Sequence, residues 1–375
     1  MYSDSEKQKI IDSLKLTPKE NFLRMLHGEV PESIMSYNYG VLKDFKGEMA
    51  YCNIGPSLFD ETHLHAIPGG FVDSWGVRFA CNESTNFAPI PAPGSALLTV
   101  DDLDHWHDFI KVPKIPEDID WEMVAKKDIE ASGINRETTA AMCLVGIMPF
   151  QELIGMLGFE DCFMAFYEEP DAIKEILQAM VDVYLPICEA AVKYYHPDCA
   201  YLLDDTASAK SPFISLPMYE EFLLPVYRIL TKPFRDEGIP LEHHNCGNCQ
   251  VFLPHMIEEL GVRVWDPAQP VNDLDAIRKK YGRHLTIAGG FNYIPPLDLS
   301  QVTRKVTDEM VHSVLDKYAM NGPFIASIGA LGAYGDKEIM RINSMIVEEL
   351  YFYGHGYYNY HPLDAFPEGT YKFDD

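Results

Sequence analysis

The chain lacks any long apolar run, and this absence limits where it can reside. Its 375 residues contain no apolar stretch of even ~18 residues, whereas a membrane-spanning helix needs about 20. The opening residues also lack the apolar core of a secretory signal peptide. We therefore expect a soluble, cytoplasmic protein that does not enter a membrane.

Basic residues are scarce as well. The sequence has 30 Lys and Arg residues against 57 Asp and Glu residues, which gives a formal net charge of −27. Nucleic-acid phosphates and anionic membranes both attract surfaces rich in Lys and Arg. Neither is therefore an expected partner, and we interpret the acidity as a contribution to solubility.

Cysteines and nucleotide-binding motifs are equally limited. Eight cysteines in a chain of this length are too few for a disulfide scaffold, and only Cys246 and Cys249 are close neighbours. No glycine-rich GxGxxG turn follows the first predicted strand, and no P-loop occurs. Nucleotide binding therefore has no support in the sequence.

What the sequence does have is a regular alternation of short apolar segments and amphipathic segments from residue 116 onward. Alternation of this kind predicts β/α units around a parallel sheet. Five or six such units, with earlier ones, favour an α/β fold of the (β/α)₈ TIM-barrel class, formed by a single domain of residues 1–375. The predicted strands span residues 33–39, 138–146, 199–205, 239–244, 262–266, 285–292 and 323–328.

A long loop-rich insertion near the N-terminus, residues 50–115, precedes this regular part of the chain. Loops of this length inside compact domains are usually functional, so we expect an excursion over the barrel mouth. Its best strand-like piece is residues 71–79. Four histidines of this region are expected to be solvated or to anchor loops: His63, His65, His105 and His107.

Polar residues follow directly on several predicted strands. Because the C-terminal ends of parallel barrel strands converge on one pocket, these residues are candidates for a single site. A simpler role as a helix cap or loop anchor stays open for the strand-terminal aspartates. The candidates are Asp204, Asp205, His243–Cys249, Asp266 and Gly289–Asn292.

The segment His243–Cys249 is the most specific of these, because it holds two imidazoles and two thiols. Zinc takes imidazole and thiolate ligands, and alternate residues of a strand point the same way, so His244 and Cys246 can bind one ion. Cys249 follows at CxxC spacing, which suits a turn around a metal. A redox-active CxxC and buried cysteines without metal are the alternatives. His243 is expected to point away from His244.

These motifs, in their order and spacing, resemble the uroporphyrinogen decarboxylase superfamily, especially its corrinoid-dependent methyltransferase branch. The similarity runs over roughly residues 17–352, and the family fold is a (β/α)₈ barrel. His244-x-Cys246 is similar to the His-x-Cys-Gly motif of the methyltransferases. The segments that carry the resemblance are Thr17–Glu29, Asp73–Val77, Leu203–Ser208, Ile214–Phe222, Pro225, His244–Gly247, Pro267–Leu274 and Ile287–Gly290.

The sequence departs from the family pattern at two places. The decarboxylase itself carries an arginine-rich motif near its start that holds the substrate's carboxylates, and this chain has none. In the methyltransferases a third zinc ligand is a cysteine after the last strand, where this chain has Ala330. The resemblance therefore implies that Cys249, Glu242 or Asp204 takes that place, or that the metal site is altered or absent.

The resemblance implies a zinc-dependent methyltransferase that moves a methyl group from a small methylated donor to a corrinoid (cobalamin) carried by a partner protein. A methoxylated aromatic is the preferred donor, which would make the chain an O-demethylase component. One zinc per chain is expected on His244, Cys246 and a third ligand, with Asp204 or Asp205 orienting the substrate or passing a proton. The residues expected to contact the substrate are Trp75, Asp266 and Asn292.

Two other functions remain open at the level of sequence. A metal-free decarboxylase or other lyase on the same barrel would use Asp204 or Asp205 as its acid. A non-catalytic binding protein would retain the barrel alone, because one barrel hosts many chemistries. A homodimer is compatible with the sequence and is a further expectation.

Overall fold

The computed structural model describes residues 3–36, 50–58, 69–81, 90–146, 148–330, 332 and 335–363. His63, His65 and the last part of the strand predicted at residues 33–39 lie outside the described residues. Within the described ranges, none of the helices combines the length and the apolar character that crossing a membrane would require.

The strands are short, and most lie where apolar segments predicted them. They are β1 (Met35–Ser36), β2 (Tyr51–Asn53), β3 (Phe71–Val72), β4 (Arg78–Ala80), β5 (Ile90–Pro91), β6 (Ala140–Leu144), β7 (Cys199–Leu203), β8 (Leu241–His244), β9 (Val262–Asp266), β10 (Thr286–Tyr293) and β11 (Phe324–Ala330).

The first α-helices precede β1, and the later ones lie between strands or after β11. They are α1 (Asp4–Ser13), α2 (Pro18–Leu26), α3 (Trp121–Ser132), α4 (Pro149–Leu157), α5 (Phe159–Glu168), α6 (Pro170–Ala190), α7 (Leu216–Met218), α8 (Leu224–Asp236), α9 (Leu274–Tyr281), α10 (Arg304–Ala319), α11 (Lys337–Gly354) and α12 (Tyr357–Tyr360).

The chain divides into two compact units. The central unit consists of Asn53–Gly133 and Met142–Leu260, and the terminal unit consists of Met1–Cys52, Ile134–Ala141 and Gly261–Asp375. The single domain of residues 1–375 stays a prediction, as does closure of the strands into an eight-stranded barrel.

In the central unit, the part of β6 from Met142 onward runs parallel to β7, and β7 runs parallel to β8. Met142 pairs with Cys199, and Ala200 pairs with Leu241. β6 and β7 are apolar almost throughout, as expected for a parallel sheet that is covered on its faces by helices, whereas β8 carries Glu242, His243 and His244. Between β7 and β8 the chain forms α7, a π-helical turn at Tyr219–Leu223 and α8, and α8 packs against α6.

In the terminal unit, four parallel strands lie side by side in the order β9, β10, β11, β1. Ile287 of β10 pairs with Phe324 of β11, and Met35 of β1 pairs with Ile325. The helices α10 and α11 follow β10 and β11 and pack against each other. Each unit is thus built from parallel strands joined by helices, which confirms the α/β class.

Residues 149–195 and 251–260 have the apolar spacing that predicts helices, and both stretches are helical over most of their length in the structure. The first stretch contains α4, α5 and α6, because Gly158, with a φ of 79°, separates α4 from α5, and Pro170 begins α6. The segment after Cys249 forms a 3₁₀ turn, Gln250–Phe252, and a π-helical turn, His255–Glu259, which the helical residues Leu253 and Pro254 join.

The single strand predicted at residues 71–79 is wrong, because a tight turn divides it. The Asp73 carboxylate accepts hydrogen bonds from the amides of Trp75 and Val77 at 3.0 and 2.8 Å, and Gly76 has a φ of 91°. The two halves become the antiparallel strands β3 and β4, and β5 pairs with β4. An excursion of residues 50–115 over a barrel mouth stays a prediction.

Candidate metal centre

The candidate site lies in the central unit, where two neighbouring strands end. In the parallel pair of β7 and β8, Leu203, the last residue of β7, lies opposite His244, the last residue of β8. The residues that follow Leu203 and His244 therefore begin side by side. This register explains how Asp205 and Cys246, which are 41 positions apart in sequence, come into contact.

Three side chains gather at this edge: Asp205, His244 and Cys246, here called the ligand cluster. One ligand atom from each lies within 4.8 Å of the others. The Cys246 Sγ lies 3.3 Å from His244 Nε2, and Nε2 lies 3.8 Å from Asp205 Oδ1. The side chains of His244 and Asp205 are 24% and 36% exposed, so a small ligand can reach them.

The two loops that carry the cluster are joined by further hydrogen bonds. The Cys246 amide donates to Asp205 Oδ1 at 2.7 Å. The buried Asn245 accepts from the Thr206 amide at 3.1 Å and donates from its own amide group to the Thr206 hydroxyl at 2.8 Å. These contacts fix the relative positions of Asp205 and Cys246 before any ligand arrives.

Gly247 allows the two loops to approach this closely. Its φ is 83°, a left-handed conformation that side-chain-bearing residues rarely adopt. A Cβ atom at this position would lie 2.6 Å from the carbonyl oxygens of both Ala207 and Ser208. Glycine is therefore the residue that fits between the backbone of one loop and that of the other.

The imidazole of His244 is held from its far side by Tyr201. The Tyr201 hydroxyl lies 3.1 Å from Nδ1, so Nε2 is the nitrogen that faces Cys246 and Asp205. The two rings meet edge to face, with centroids 6.3 Å apart. Sequence reasoning missed Tyr201. The two-residue period of a strand could have indicated it. Tyr201 and Leu203 are alternate residues of β7 and therefore point to the same face, and Leu203 is paired with His244.

The Cys246 thiol has a raised pKa. Burial raises it, whereas the hydrogen bond with His244 acts in the opposite direction. The thiol is therefore mostly protonated at neutral pH before a metal binds. Metal binding must displace this proton, because the thiolate is the form that ligates metal ions.

Asp204, the predicted acid or ligand, is fully buried and lies outside the ligand cluster. Its carboxylate accepts hydrogen bonds from the Phe150 and Gln151 amides at 2.8 and 3.1 Å, and from the Tyr227 hydroxyl at 2.7 Å. It thus occupies the N-terminal end of α4, where unpaired amides favour a carboxylate. Burial nevertheless raises the pKa of Asp204 to about 7.

Cys249 and Glu242, the other predicted ligands, are also absent from the group of ligand atoms that the described residues form. Cys249 is completely buried, and its thiol donates to the Asn245 carbonyl at 3.3 Å. Glu242 is 1% exposed and lies opposite Tyr201 in the strand register. The structure brings Asp205 to His244 and Cys246 instead.

His243 points away from the cluster, as predicted. It is fully buried, and its ring meets Tyr227 of α8 at a centroid distance of 5.8 Å. Burial lowers the pKa of this imidazole to about 3. His243 therefore belongs to the packing between β8 and α8.

The three predicted substrate contacts are not part of the ligand cluster. Trp75 is 1% exposed, and its indole nitrogen donates to the Tyr184 hydroxyl at 3.3 Å, which is a packing arrangement within the central unit. Asp266 ends β9 of the terminal unit and is 8% exposed. Asn292 lies in β10, and its side chain is outside the described set. Substrate contact by these residues stays a prediction.

The chemistry of the ligand cluster is that of a small metal site. Imidazole nitrogen, thiolate sulfur and carboxylate oxygen are all ligands of zinc, and three protein ligands with an open fourth position are typical of catalytic zinc sites. The partial exposure of His244 and Asp205 leaves the cluster open to solvent on one side.

Comparison with models of protein families matches residues 127–345 to uroporphyrinogen decarboxylase (URO-D). The matched stretch is more than half of the 375-residue chain and contains all three residues of the ligand cluster. A search of the curated proteins finds no match to the chain.

Proposed function

The chain belongs to the uroporphyrinogen decarboxylase family, and we propose that it is a zinc-dependent methyltransferase of this family. The superfamily resemblance of the sequence is thereby confirmed, and members of this superfamily are enzymes. The observation that carries the proposal is the ligand cluster, in which an imidazole, a thiol and a carboxylate come within 4.8 Å of one another.

Zinc fits this set of ligands. A Cys246 thiolate and an Asp205 carboxylate together carry two negative charges, which balance the charge of the ion, while neutral His244 adds a nitrogen ligand. Zinc bound there supplies Lewis-acid stabilisation of negative charge on a leaving atom. The joined loops hold the three ligands in place, so little reorganisation is needed on binding.

The presence of Asp205 supports a methyl donor whose leaving atom is oxygen. A carboxylate is a harder ligand than the second thiolate of the related methyltransferases, and harder ligands suit oxygen donors better than sulfur donors. We therefore propose a small methoxylated aromatic as the methyl donor. The acceptor is the corrinoid of a partner protein, which supplies the nucleophilic cobalt.

The test is methyl transfer from methoxylated aromatic acids to a reduced corrinoid. In the reaction, the methyl–oxygen bond breaks, the methyl group passes to cobalt(I), and the released phenolate takes a proton. We expect zinc-loaded protein to give one methylated corrinoid for each phenol formed. The His244→Ala, Cys246→Ala double variant should be inactive, and Cys249→Ser should stay active because Cys249 is outside the cluster.

Two results would overturn the proposal. One is a purified wild-type protein that binds no zinc. The other is zinc-loaded protein that is inert with the whole series of methoxylated donors in the presence of both free reduced cobalamin and a corrinoid protein.

A decarboxylase or related lyase is the second candidate, because the matching family model is that of uroporphyrinogen decarboxylase. Burial raises the pKa of Asp204 to about 7, which is suitable for a proton donor near neutral pH. Against this role, Asp204 is enclosed by the amides of α4 and the Tyr227 hydroxyl. Release of CO₂ from a carboxylated substrate by metal-free protein, without any corrinoid, would favour the lyase.

A further inference from the structure

We infer that Tyr201 is a positioning residue, which keeps Nε2 of His244 available to the metal by accepting a hydrogen bond from Nδ1–H. This inference rests on the proposed metal site and extends it to a residue that does not touch the metal. No motif of the sequence pointed to Tyr201, and its position in β7 becomes meaningful only through its contact with His244.

The geometry of the His244 ring carries the argument. The Tyr201 hydroxyl lies 3.1 Å from Nδ1, on the opposite side of the ring from the Cys246 Sγ, which lies 3.3 Å from Nε2. Asp205 Oδ1 also approaches Nε2, at 3.8 Å. One nitrogen of the imidazole is therefore directed at the other two ligands, and the second is directed at the phenol.

The chemistry of imidazole explains why this matters. A neutral imidazole has one protonated nitrogen and one nitrogen with a free lone pair, and only the latter can bind a metal. A partner that accepts from Nδ1–H favours the form in which Nε2 is free and also fixes the plane of the ring. Partners of this kind typically contribute about 10–100-fold in metal affinity.

The strands hold Tyr201 in place for this role. Tyr201 lies within β7 and is paired with Glu242, two residues before His244 in β8, so both side chains project from ordered backbone and not from a loop. A hydroxyl held in this way limits rotation of the imidazole more strongly than a water molecule would. The role requires only the hydroxyl, because the ring contact would persist with phenylalanine.

The experiment compares Tyr201→Phe with Tyr219→Phe. Tyr219 is another tyrosine of the central unit, and it is fully buried. Its hydroxyl has no hydrogen-bond partner among the described residues, so Tyr219→Phe tests the removal of a phenol oxygen alone. Zinc affinity is measured by competition with a chromophoric chelator, and Co²⁺ binding is followed by its thiolate charge-transfer and d–d absorption.

We expect Tyr201→Phe to weaken zinc binding by about 10–100-fold and to alter the Co²⁺ spectrum, with Tyr219→Phe close to wild type. The melting temperatures of both metal-free variants should stay close to that of metal-free wild type. Wild-type zinc affinity in Tyr201→Phe would overturn the inference, and so would an equal loss in Tyr219→Phe, which would indicate a packing effect.

The outcome is separable from that of the proposed function. Zinc binding that depends on Tyr201, in a protein that transfers no methyl group, would uphold the positioning role and refute the methyltransferase. Methyl transfer by a protein whose zinc affinity does not depend on Tyr201 would uphold the methyltransferase and refute the positioning role. A wild-type protein that binds neither Zn²⁺ nor Co²⁺ would overturn both.

Discussion

At the scale of single residues, the adjacent carboxylates Asp204 and Asp205 have different surroundings and therefore different roles. Asp204 is fully buried and accepts from the first turn of α4 and from Tyr227. Asp205 is partly exposed and faces His244 and the Cys246 amide. One carboxylate therefore stabilises the fold, whereas the other is available to a metal.

Substitutions of the two aspartates should separate zinc binding from the stability of the fold. Asp205→Asn retains a carbonyl oxygen for the Cys246 amide but loses the charge, so we expect zinc affinity to fall at least about tenfold with stability nearly unchanged. Asp204→Asn places an amide group among three donors, so we expect a loss of about 1–3 kcal/mol in unfolding free energy with zinc binding retained. Chelator competition and urea unfolding measure the two effects. Weaker zinc binding in Asp204→Asn together with lower stability in Asp205→Asn would contradict these roles.

His243 gives a prediction about pH. Its pKa is about 3 in the folded protein, against a value near 6.5 when unfolded, so the unfolded chain takes up this proton first as the pH falls. The stability contributed by the neutral imidazole is complete above pH ~6.5 and is lost progressively from there down to pH ~3. Replacement by phenylalanine preserves an aromatic ring against Tyr227 and removes the titration.

We therefore expect wild-type protein to lose about 2 kcal/mol more unfolding free energy than His243→Phe between pH 7 and pH 5. Urea unfolding at the two pH values, in the presence of a chelator, measures this difference directly. Equal losses in the two proteins would show that His243 is not held neutral by burial.

At the scale of elements, the site depends on two loops that are packed backbone against backbone. In Gly247→Ala, a residue with a left-handed backbone conformation would carry a Cβ, and this atom would collide with the carbonyl oxygens of Ala207 and Ser208. Gly238→Ala is the matched control, because its φ is 68° and nothing lies within 4 Å of the added carbon. The control measures the cost of the backbone conformation alone, about 1–2 kcal/mol.

We expect Gly247→Ala to be destabilised more than Gly238→Ala, and to lose zinc affinity, which the control retains. Unfolding midpoints and chelator competition supply both comparisons. If the two variants behave alike, the close approach of the loops does not control the metal site.

The elements also show what sequence could and could not predict. The positions of β7, β8 and the residues His244 and Cys246 followed from apolar periodicity and ligand spacing, because both properties are local. The third member of the cluster did not follow, since the direction of Asp205 depends on hydrogen bonds between two loops 41 positions apart. Tyr201 was missed for the same reason: its significance arises from strand register.

At the scale of the whole molecule, the alternation of strands and helices predicted the α/β class, and the family match agrees with it. Periodicity could not reveal the turn at Asp73, where side-chain hydrogen bonds divide the strand-like stretch of residues 71–79 into β3 and β4. The net charge of −27 describes the entire chain, so it bears on the class of partner and not on the chemistry of the site.

The most direct test of the account is zinc K-edge X-ray absorption of the protein purified without chelators. We predict one zinc per chain with a single sulfur neighbour at about 2.3 Å and the remaining ligands nitrogen or oxygen. Cys249→Ser should leave this spectrum unchanged, and Cys246→Ser should remove the sulfur. A second sulfur neighbour that Cys249→Ser removes, or a native protein without zinc, would contradict a site built from Asp205, His244 and Cys246.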